Sequence, residues 1–256
     1  MWIFCITFLF IHVKINDRTG VIKMKALILS AGLGKRLRPL TDIIPKPLAD
    51  INGKPIIDII VEKLKNIGVD EFAFNLHHLP EKIREHFSNS SEKMIFSYED
   101  ELLDTGGTLA SFSDWLDEDE FLIVHNGDIY SDIDIKFLLN KALEKNAPTL
   151  ALIPNGPVGN VKFFPKTEKI VDFRNSLGID DSKYINCTFS GIAVYPANFI
   201  KEMPKGKYSV IDYMIEKLKE KKDIFGVLFE NIYWNDIGTH EALEACRKFD
   251  LRKGVK

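Results

Sequence analysis

The sequence predicts an α/β fold of Rossmann-like type: a mixed, mostly parallel sheet with helices on both faces. Short apolar runs, such as residues 26–30, alternate with segments whose apolar residues recur at helical spacing. The first runs are continuous rather than alternating, which is typical of parallel strands buried on both faces. A chain of 256 residues with 45% hydrophobic and 28% charged residues can bury a full core.

The elements follow one another in β-α order through the first half of the chain. A predicted helix at 56–67 lies between Pro55, a residue common at helix starts, and Gly68, a residue common at helix ends. The remaining predicted strands are 72–76, 94–98, 121–125, 149–153, 161–164, 170–173, 190–195 and 224–229. The remaining predicted helices are 81–87, 108–115, 210–220 and 241–249.

Residues 1–13 are nearly all apolar. The run is shorter than the roughly 20 residues that a membrane-spanning helix needs. It also lacks the basic start and the small-residue cleavage site of a signal peptide. We therefore interpret residues 1–23 as an extension outside the core, with translation starting at Met24, and residues 24–256 as a single domain.

Charge and cysteine content narrow the functional classes. A net charge of -3 without a polybasic block predicts no nucleic-acid partner, and no membrane association is expected. The three cysteines, Cys5, Cys187 and Cys246, form no CxxC pair, so neither a zinc site nor a disulfide framework is indicated. A reducing cytoplasm is the expected location, and a homo-oligomer is possible.

The segment 31–41 follows the first strand and combines glycines with the cations Lys35, Arg36 and Arg38. Glycines allow a phosphate to approach the backbone, and arginine matches phosphate oxygens with a planar fork. A dinucleotide-binding loop would need a third glycine where Leu37 stands, and a Walker loop is absent. The loop therefore predicts phosphate binding of another type, with a basic surface turn as the alternative.

Three charged residues stand in constrained settings. Lys46 lies between two prolines, which restrict the backbone on either side of the cation. Asp128 follows a predicted strand, at the edge where open parallel sheets bind ligands, and an Asp there can hold a hard cation. Asp236 precedes a glycine turn and the last helix. The alternatives are a solvated turn lysine, an Asx turn and a helix-entry turn, respectively.

Two further groups can face the same edge. Asn75 ends the second strand of the β-α series, and the segment Thr105-Gly106-Gly107 precedes a predicted helix. Backbone N–H groups at such a helix start can face a base or a sugar. A capped helix start is the alternative for the glycine segment.

Together these motifs resemble the sugar-1-phosphate nucleotidyltransferase family, whose fold is the nucleotide-diphospho-sugar transferase type. The similarity is carried by AGLGKRLRPLT…PKP at 31–47, NGD at 126–128 and WNDIGT at 234–239. It is closest to N-acetylmuramate-1-phosphate uridylyltransferases, through LLDTGGTL at 102–109, CTFSGIAVY at 187–195 and DIGTHEAL at 236–243.

The resemblance implies a role for each matching residue. Arg36 and Lys46 would hold the triphosphate and stabilise charge at the α-phosphate, and Asp128 and Asp236 would bind Mg²⁺. The residues implied to surround the nucleotide are Ala31, Gly32, Gly34, Lys35, Asn75, Thr105, Gly106 and Gly107. The residues implied to bind the sugar are Arg174, Asn175, Thr188 and Gly191.

The chain departs from the family at one substrate position. Many members carry a Glu-Lys-Pro run whose lysine meets the sugar phosphate, and here residues 173–176 read Phe-Arg-Asn-Ser. Arg174 is the candidate substitute. The implied reaction joins a nucleoside triphosphate to a sugar 1-phosphate, with UTP and N-acetylmuramate 1-phosphate as first choice. Alternatives are GTP with a mannose- or heptose-type 1-phosphate, CTP with phosphocholine, or a non-catalytic nucleotide sensor.

Overall fold

The computed structural model describes residues 24–179 and 183–249, so the prediction made for residues 1–23 lies outside the described residues. The strands are β1 Met24–Leu29, β2 Asp50–Ile51, β3 Lys54–Pro55, β4 Glu71–Leu76, β5 Lys93–Tyr98, β6 Phe121–Asn126, β7 Ile129–Ser131, β8 Thr149–Pro154, β9 Val161–Phe164, β10 Lys169–Phe173, β11 Ile185–Pro196, β12 Phe225–Leu228 and β13 Trp234–Asp236. The helices are α1 Leu40–Ile43, α2 Ile56–Lys65, α3 Pro80–His86, α4 Asp104–Ser111, α5 Ile135–Lys145, α6 Ala197–Lys201, α7 Val210–Lys219 and α8 His240–Lys248. Within the described ranges no helix has the length and apolar character needed to cross a membrane.

The central sheet joins nine of the described strands in the order β5-β4-β1-β6-β11-β8-β12-β10-β9. Strands β5, β4, β1 and β6 are parallel, as the β-α order of the first half predicts. Strand β11 enters antiparallel between β6 and β8, and the pairings of β9 and β10 are antiparallel as well. The predicted α/β class with a mixed sheet is confirmed, with the parallel arrangement concentrated in the first half of the chain.

Helices cover both faces of this sheet, as predicted. On β1, Ala26 and Ile28 belong to a core shared with helices α2, α3, α5 and α8. The intervening Leu27 belongs to a second core shared with α4, α6 and α7. Since successive side chains of a strand point to opposite faces, the two cores lie on opposite sides of the sheet.

Four helices differ from the sequence prediction, since the short helices α1 and α6 were not predicted and α5 and α4 differ as follows. Helix α5 was not predicted, although its buried Ile135, Leu138 and Leu139 follow helical spacing and Asp134 caps its start by accepting from Phe137 N at 2.9 Å. Helix α4 begins at Asp104, ahead of the predicted 108, because the two glycines lie inside its first turns. Glycine weakens a helix pattern in sequence, so the start was placed too late.

The four parallel strands place polar residues along one edge of the sheet. Their carboxyl ends bring Ser30, Asn75, Glu99 and Asn126 to the same side, because parallel strands run in the same direction. This edge holds the candidate site.

Candidate active site

The three charged residues singled out in the sequence meet at this edge. The Nζ atom of Lys46 lies 2.5 Å from Asp128 Oδ2 and 2.9 Å from Asp236 Oδ1. The side chain of Lys46 is 11% exposed, that of Asp128 28% and that of Asp236 39%. One ammonium group therefore bridges two carboxylates at the rim of the sheet.

A two-stranded ribbon brings the distant Asp236 beside Asp128. Strand β13 pairs antiparallel with β7, and the register places Asp236 opposite Ile129. The Ile237 N–H donates to the Asp128 carbonyl at 3.0 Å, which fixes the two aspartates along the backbone. The Trp234 Nε1–H donates to the Ser190 carbonyl at 2.9 Å and ties the ribbon to β11.

Lys46 is held by the backbone that the flanking prolines constrain. It begins a short 3₁₀ turn, Lys46–Leu48, preceded by Pro45 in extended conformation. Pro47 is buried in the same turn. The lysine stem is thus covered, and only the ammonium end reaches the carboxylates.

The two neighbouring carboxylates, Asp128 and Asp236, favour a cation between them. Burial and the nearby Asp236 raise the pKa of Asp128, and Lys46 opposes that rise. Arg36 adds a second cation, because a Cβ placed on Gly238 would lie 2.6 Å from Arg36 Nη2 and 3.1 Å from Asp236 Oδ1. The absence of a side chain at Gly238 therefore leaves room for the Arg36 guanidinium next to residue 238, near the acidic pair.

A cavity of about 410 Å³, here called the main cavity, opens beside this cluster. Five residues that the sequence analysis assigned to the site line it: Ala31, Gly32, Asn75, Thr105 and Asp128. Its remaining lining residues are Leu29, Glu99, Leu102, Asp104, Thr108, Asn126 and Lys207. A concave site with a few convergent polar groups is the usual form of a small-molecule site.

A buried polar network forms the floor of the cavity. Asn75 Oδ1 accepts from the Ser30 N–H at 2.8 Å, and Asn75 Nδ2 donates to Glu99 Oε1 at 2.9 Å. Glu99 also accepts from Thr108 Oγ1 at 2.5 Å and from the Leu103 N–H at 3.0 Å. Both side-chain polar atoms of Asn75 therefore have partners within the protein, and these hydrogen bonds connect β1, β4 and the start of α4.

The glycines of the 105–107 segment have a structural role in the packing of α4. The N–H groups of Gly106 and Gly107 both donate to the Tyr208 carbonyl, at 2.9 and 3.2 Å, so they do not face the cavity. A Cβ on Gly107 would lie 2.0 Å from the Gly206 carbonyl oxygen. The glycines are needed because another chain segment approaches the helix here. Their amides have a partner within the protein, and a contact of this segment with a nucleotide stays a prediction.

The predicted sugar-binding residues lie outside the 410 Å³ cavity. Arg174 and Asn175 line a second cavity of about 590 Å³, and Arg174 Nη1 pairs with Asp212 at 2.7 Å. Thr188 is buried, and its hydroxyl accepts from the N–H groups of Val158 and Gly159 at 3.0 Å each. These contacts give Thr188 and Arg174 structural partners rather than a place in the main cavity.

The three other predicted residues support the site from behind or lie on its rim. Gly191 has a φ of 82°, and a Cβ there would come within 2.6 Å of Asn126 Nδ2, so the glycine makes room for a cavity residue. Gly34 has a φ of 59° and its carbonyl accepts from Thr41 Oγ1 at 2.8 Å, which closes the loop. Lys35 is exposed on that loop.

Seven lining residues were not assigned to the site in the sequence analysis, and two of them, Glu99 and Lys207, are charged residues outside every motif named there. Glu99 directly follows β5. The same rule that identified Asn75 and Asp128, a polar residue at the carboxyl end of a parallel strand, would have found it. Lys207 has no comparable signal, since its place depends on how residues 204–208 pack against α4.

The acidic pair suits a hard divalent cation such as Mg²⁺. Both carboxylates reach a single point, the position of the Lys46 ammonium. No group of three or more His, Cys, Asp or Glu side chains in residues 24–179 and 183–249 is placed to hold a metal. Mg²⁺ is commonly bound through one or two carboxylates together with water and substrate phosphates, so the donor set fits.

The fold and the site define a nucleotide-dependent transferase class, and sequence comparison gives the family. The family model described as Nucleotidyl transferase matches residues 25–164. The chain belongs to this family. Its homologues include uridylyl- and guanylyltransferases that act on sugar 1-phosphates.

Three relatives illustrate the range of the family. The bifunctional protein GlmU of Methanocaldococcus jannaschii is 32% identical over 236 residues, which cover 90% of this chain and 55% of that protein. The UTP–glucose-1-phosphate uridylyltransferase of Synechocystis is 28% identical, covering 84% of this chain and 60% of that protein. The N-acetylmuramate α-1-phosphate uridylyltransferase of Neisseria meningitidis is 30% identical over 226 residues, covering 84% of this chain and 94% of that protein. The chain thus spans little more than half the length of the first two relatives.

Solved structures share the fold. A putative glucose-1-phosphate thymidylyltransferase from Bacillus anthracis superposes with a TM-score of 0.73 at 20% identity, covering 88% of this chain and 94% of that one. HddC from Yersinia pseudotuberculosis, in complex with GMP-PN, superposes with a TM-score of 0.69 at 24% identity, covering 88% and 99%. The predicted nucleotide-diphospho-sugar transferase fold is confirmed.

Proposed function

We propose that this chain transfers a nucleoside monophosphate from a nucleoside triphosphate to a sugar 1-phosphate and releases pyrophosphate. The observation that carries the proposal is the contact of one lysine, Lys46, with two carboxylates, Asp128 and Asp236, at the mouth of the 410 Å³ cavity. Two carboxylates and adjacent cations provide what a reaction between two polyanions requires, namely positioning and charge neutralisation.

The reaction is an in-line displacement at the α-phosphorus. A phosphate oxygen of the sugar 1-phosphate forms a new bond to that phosphorus, and the bond to the β-phosphate oxygen breaks, so that pyrophosphate leaves with its electron pair. A phosphate monoester is largely dianionic at neutral pH, with a second pKa of about 6, so no general base is required. Catalysis is then a matter of orientation and electrostatic stabilisation.

The residues of the chain divide this work between them. Arg36 and Lys46 bind the triphosphate and neutralise charge that develops at the α-phosphate, with Lys35 on the same loop. Asp128 and Asp236 would hold Mg²⁺, which would neutralise phosphate charge as a Lewis acid. Ala31 and Gly32 leave the cavity wall open to the nucleoside, and the buried Asn75 network keeps that wall rigid.

The preferred substrates are UTP and N-acetylmuramate 1-phosphate. The support is the Neisseria meningitidis relative, of whose length the alignment covers 94%. GTP with a mannose- or heptose-type 1-phosphate is the second candidate, favoured by the mannose-1-phosphate guanylyltransferase of Mycobacterium tuberculosis, which is 28% identical over 228 residues. CTP with phosphocholine is the third.

A matrix of substrates tests the proposal. Pyrophosphate release is measured with each of the four ribonucleoside triphosphates and dTTP against a panel of sugar 1-phosphates and phosphocholine. The proposal expects release to depend on both partners, with the fastest rate for UTP and N-acetylmuramate 1-phosphate. A different preferred pair would correct the substrate while retaining the reaction. Triphosphate binding without pyrophosphate release from any pair would favour a nucleotide-sensing protein.

A further inference from the structure

The main cavity has an unbalanced charge. Three carboxylates line it, those of Glu99, Asp104 and Asp128, whereas in the described part of the chain its lining includes one cationic side chain, Lys207. Two polyanionic substrates cannot share such a space unless cations lie close to their phosphates. Lys207 is therefore placed where a phosphate requires a charge partner.

The turn that carries Lys207 is firmly anchored to α4. The Tyr208 N–H donates to the Leu103 carbonyl at 3.1 Å, and the Tyr208 carbonyl accepts from Gly106 and Gly107. On the other side, Lys205 Nζ donates to the Ala110 carbonyl at 2.6 Å and to Ser113 Oγ at 3.0 Å. These bonds surround Lys207 in sequence and fix its backbone.

The side chain of Lys207, in contrast to its backbone, is not held by other residues of the described part of the chain. It is exposed, and it makes no ion pair or hydrogen bond to any residue within 24–179 and 183–249. By contrast, Arg174, the sequence candidate for a phosphate contact, pairs with Asp212 and lines the second cavity. A fixed backbone with a free ammonium group is well suited to bind an incoming anion.

We propose that Lys207 binds the phosphate of the acceptor, the sugar 1-phosphate. The triphosphate already has cations on the 31–47 segment, since Lys46 pairs with Asp236 and the Arg36 guanidinium lies next to Gly238. Lys207 belongs to a different wall, built on α4, and so provides a charge for the second polyanion. This inference rests on the proposed transferase reaction and identifies a residue that sets affinity for its acceptor.

The test is steady-state kinetics on the full chain with two variants of the same residue. Lys207→Met removes the charge and keeps most of the stem, and Lys207→Arg restores a cation. The matched control is Lys201→Met, because Lys201 is exposed on α6, outside the lining of the main cavity. KM is measured separately for acceptor and triphosphate, with one neutral sugar 1-phosphate and one that bears a carboxylate.

Lys207→Met is expected to raise the acceptor KM about ten-fold or more, the scale of a lost hydrogen bond to a charged group. The rise should be similar for both acceptors and smaller at high salt, because the lysine is exposed. The triphosphate KM should hardly change, and Lys207→Arg should recover most of the affinity. An unchanged acceptor KM, a rise for the triphosphate instead, or a rise confined to the acidic acceptor would overturn the proposal.

Failure of the transferase reaction itself gives a different result. If the wild-type chain releases no pyrophosphate with any acceptor, the proposed function falls and the role of Lys207 falls with it. If the wild type is active and Lys207→Met matches it in every constant, only the role of Lys207 is wrong.

Discussion

Replacing Asp128 by Asn should separate activity from stability. The substitution keeps the size of the side chain and an oxygen that can accept from Lys46, which lies 2.5 Å away. It removes the charge of one carboxylate from a cluster in which two carboxylates face one ammonium. The cluster then loses one of its two negative charges and with it much of its attraction for a divalent cation.

The expected loss of activity in Asp128→Asn can be estimated from the electrostatic role of the cluster in the transition state. Removing one preorganised electrostatic contact to a transition state typically costs about 10²- to 10³-fold in kcat. We expect Asp128→Asn to lose activity on this scale, at least on the order of 10²-fold, because its side chain is only 28% exposed and solvent replaces little of the lost charge.

Although Asp128→Asn should lower activity, it should not lower thermal stability. Burial raises the pKa of Asp128, so the ionised carboxylate is disfavoured in the folded chain relative to the unfolded one. For a carboxyl whose pKa is raised by folding, stability falls as pH rises through the interval between the two pKa values. At neutral pH that penalty is present, and Asn does not carry it. The thermal midpoint of Asp128→Asn should therefore equal or exceed that of the wild type.

Initial rates of pyrophosphate release and thermal unfolding followed by circular dichroism measure the two effects. Asp70→Asn is the matched control, since Asp70 is exposed and lies outside the lining of the main cavity. Near wild-type turnover in a folded Asp128→Asn protein would refute the role of this carboxylate. A large drop in the thermal midpoint would refute the electrostatic account of the cluster.

Three further perturbations have definite expected outcomes. Chelation should abolish pyrophosphate release and added Mg²⁺ should restore it, whereas full turnover in excess chelator would exclude a metal requirement. Lys25→Met should lower the free energy of unfolding by about 3–5 kcal/mol, because it leaves the Glu120 carboxylate, 7% exposed and 2.7 Å from Lys25 Nζ, without its cationic partner. Urea unfolding measures this change, and an unchanged midpoint would contradict it. Gly107→Ala should lower the thermal midpoint and raise the acceptor KM, because the added Cβ would lie 2.0 Å from the Gly206 carbonyl oxygen; wild-type values of both would show that the 204–208 turn can shift without effect.

The local sequence pattern was sufficient to identify a site residue wherever a single strand or turn determines the position of that residue. Asn75 and Asp128 were identified because each lies at the carboxyl end of a buried parallel strand, and the structure places both on the main cavity. Lys46 was identified from the two prolines beside it, and its backbone has the restricted form expected. Such constraints act over a few residues, so the sequence alone contains them.

Residues whose place depends on distant packing could not be assigned in the same way. The amides of Gly106 and Gly107 donate to the Tyr208 carbonyl, roughly a hundred positions further along the chain. No local feature of the sequence predicts that contact. Lys207 reaches the cavity through the same packing. Arg174 was proposed from the family resemblance to replace the usual lysine. It lines the second cavity and pairs with Asp212 on α7, and its contact with a substrate phosphate stays a prediction.

Transfer of the α-phosphate itself tests the central claim most directly. The chain is incubated with Mg²⁺, a sugar 1-phosphate and a nucleoside triphosphate that carries radioactive phosphorus at the α-position, and the products are separated. The account predicts that the label appears in a nucleoside diphosphate sugar, that unlabelled pyrophosphate is released in equal amount, and that Asp128→Asn slows both together. Label that stays in the triphosphate, or that appears as free nucleoside monophosphate whether or not the sugar phosphate is present, would contradict it.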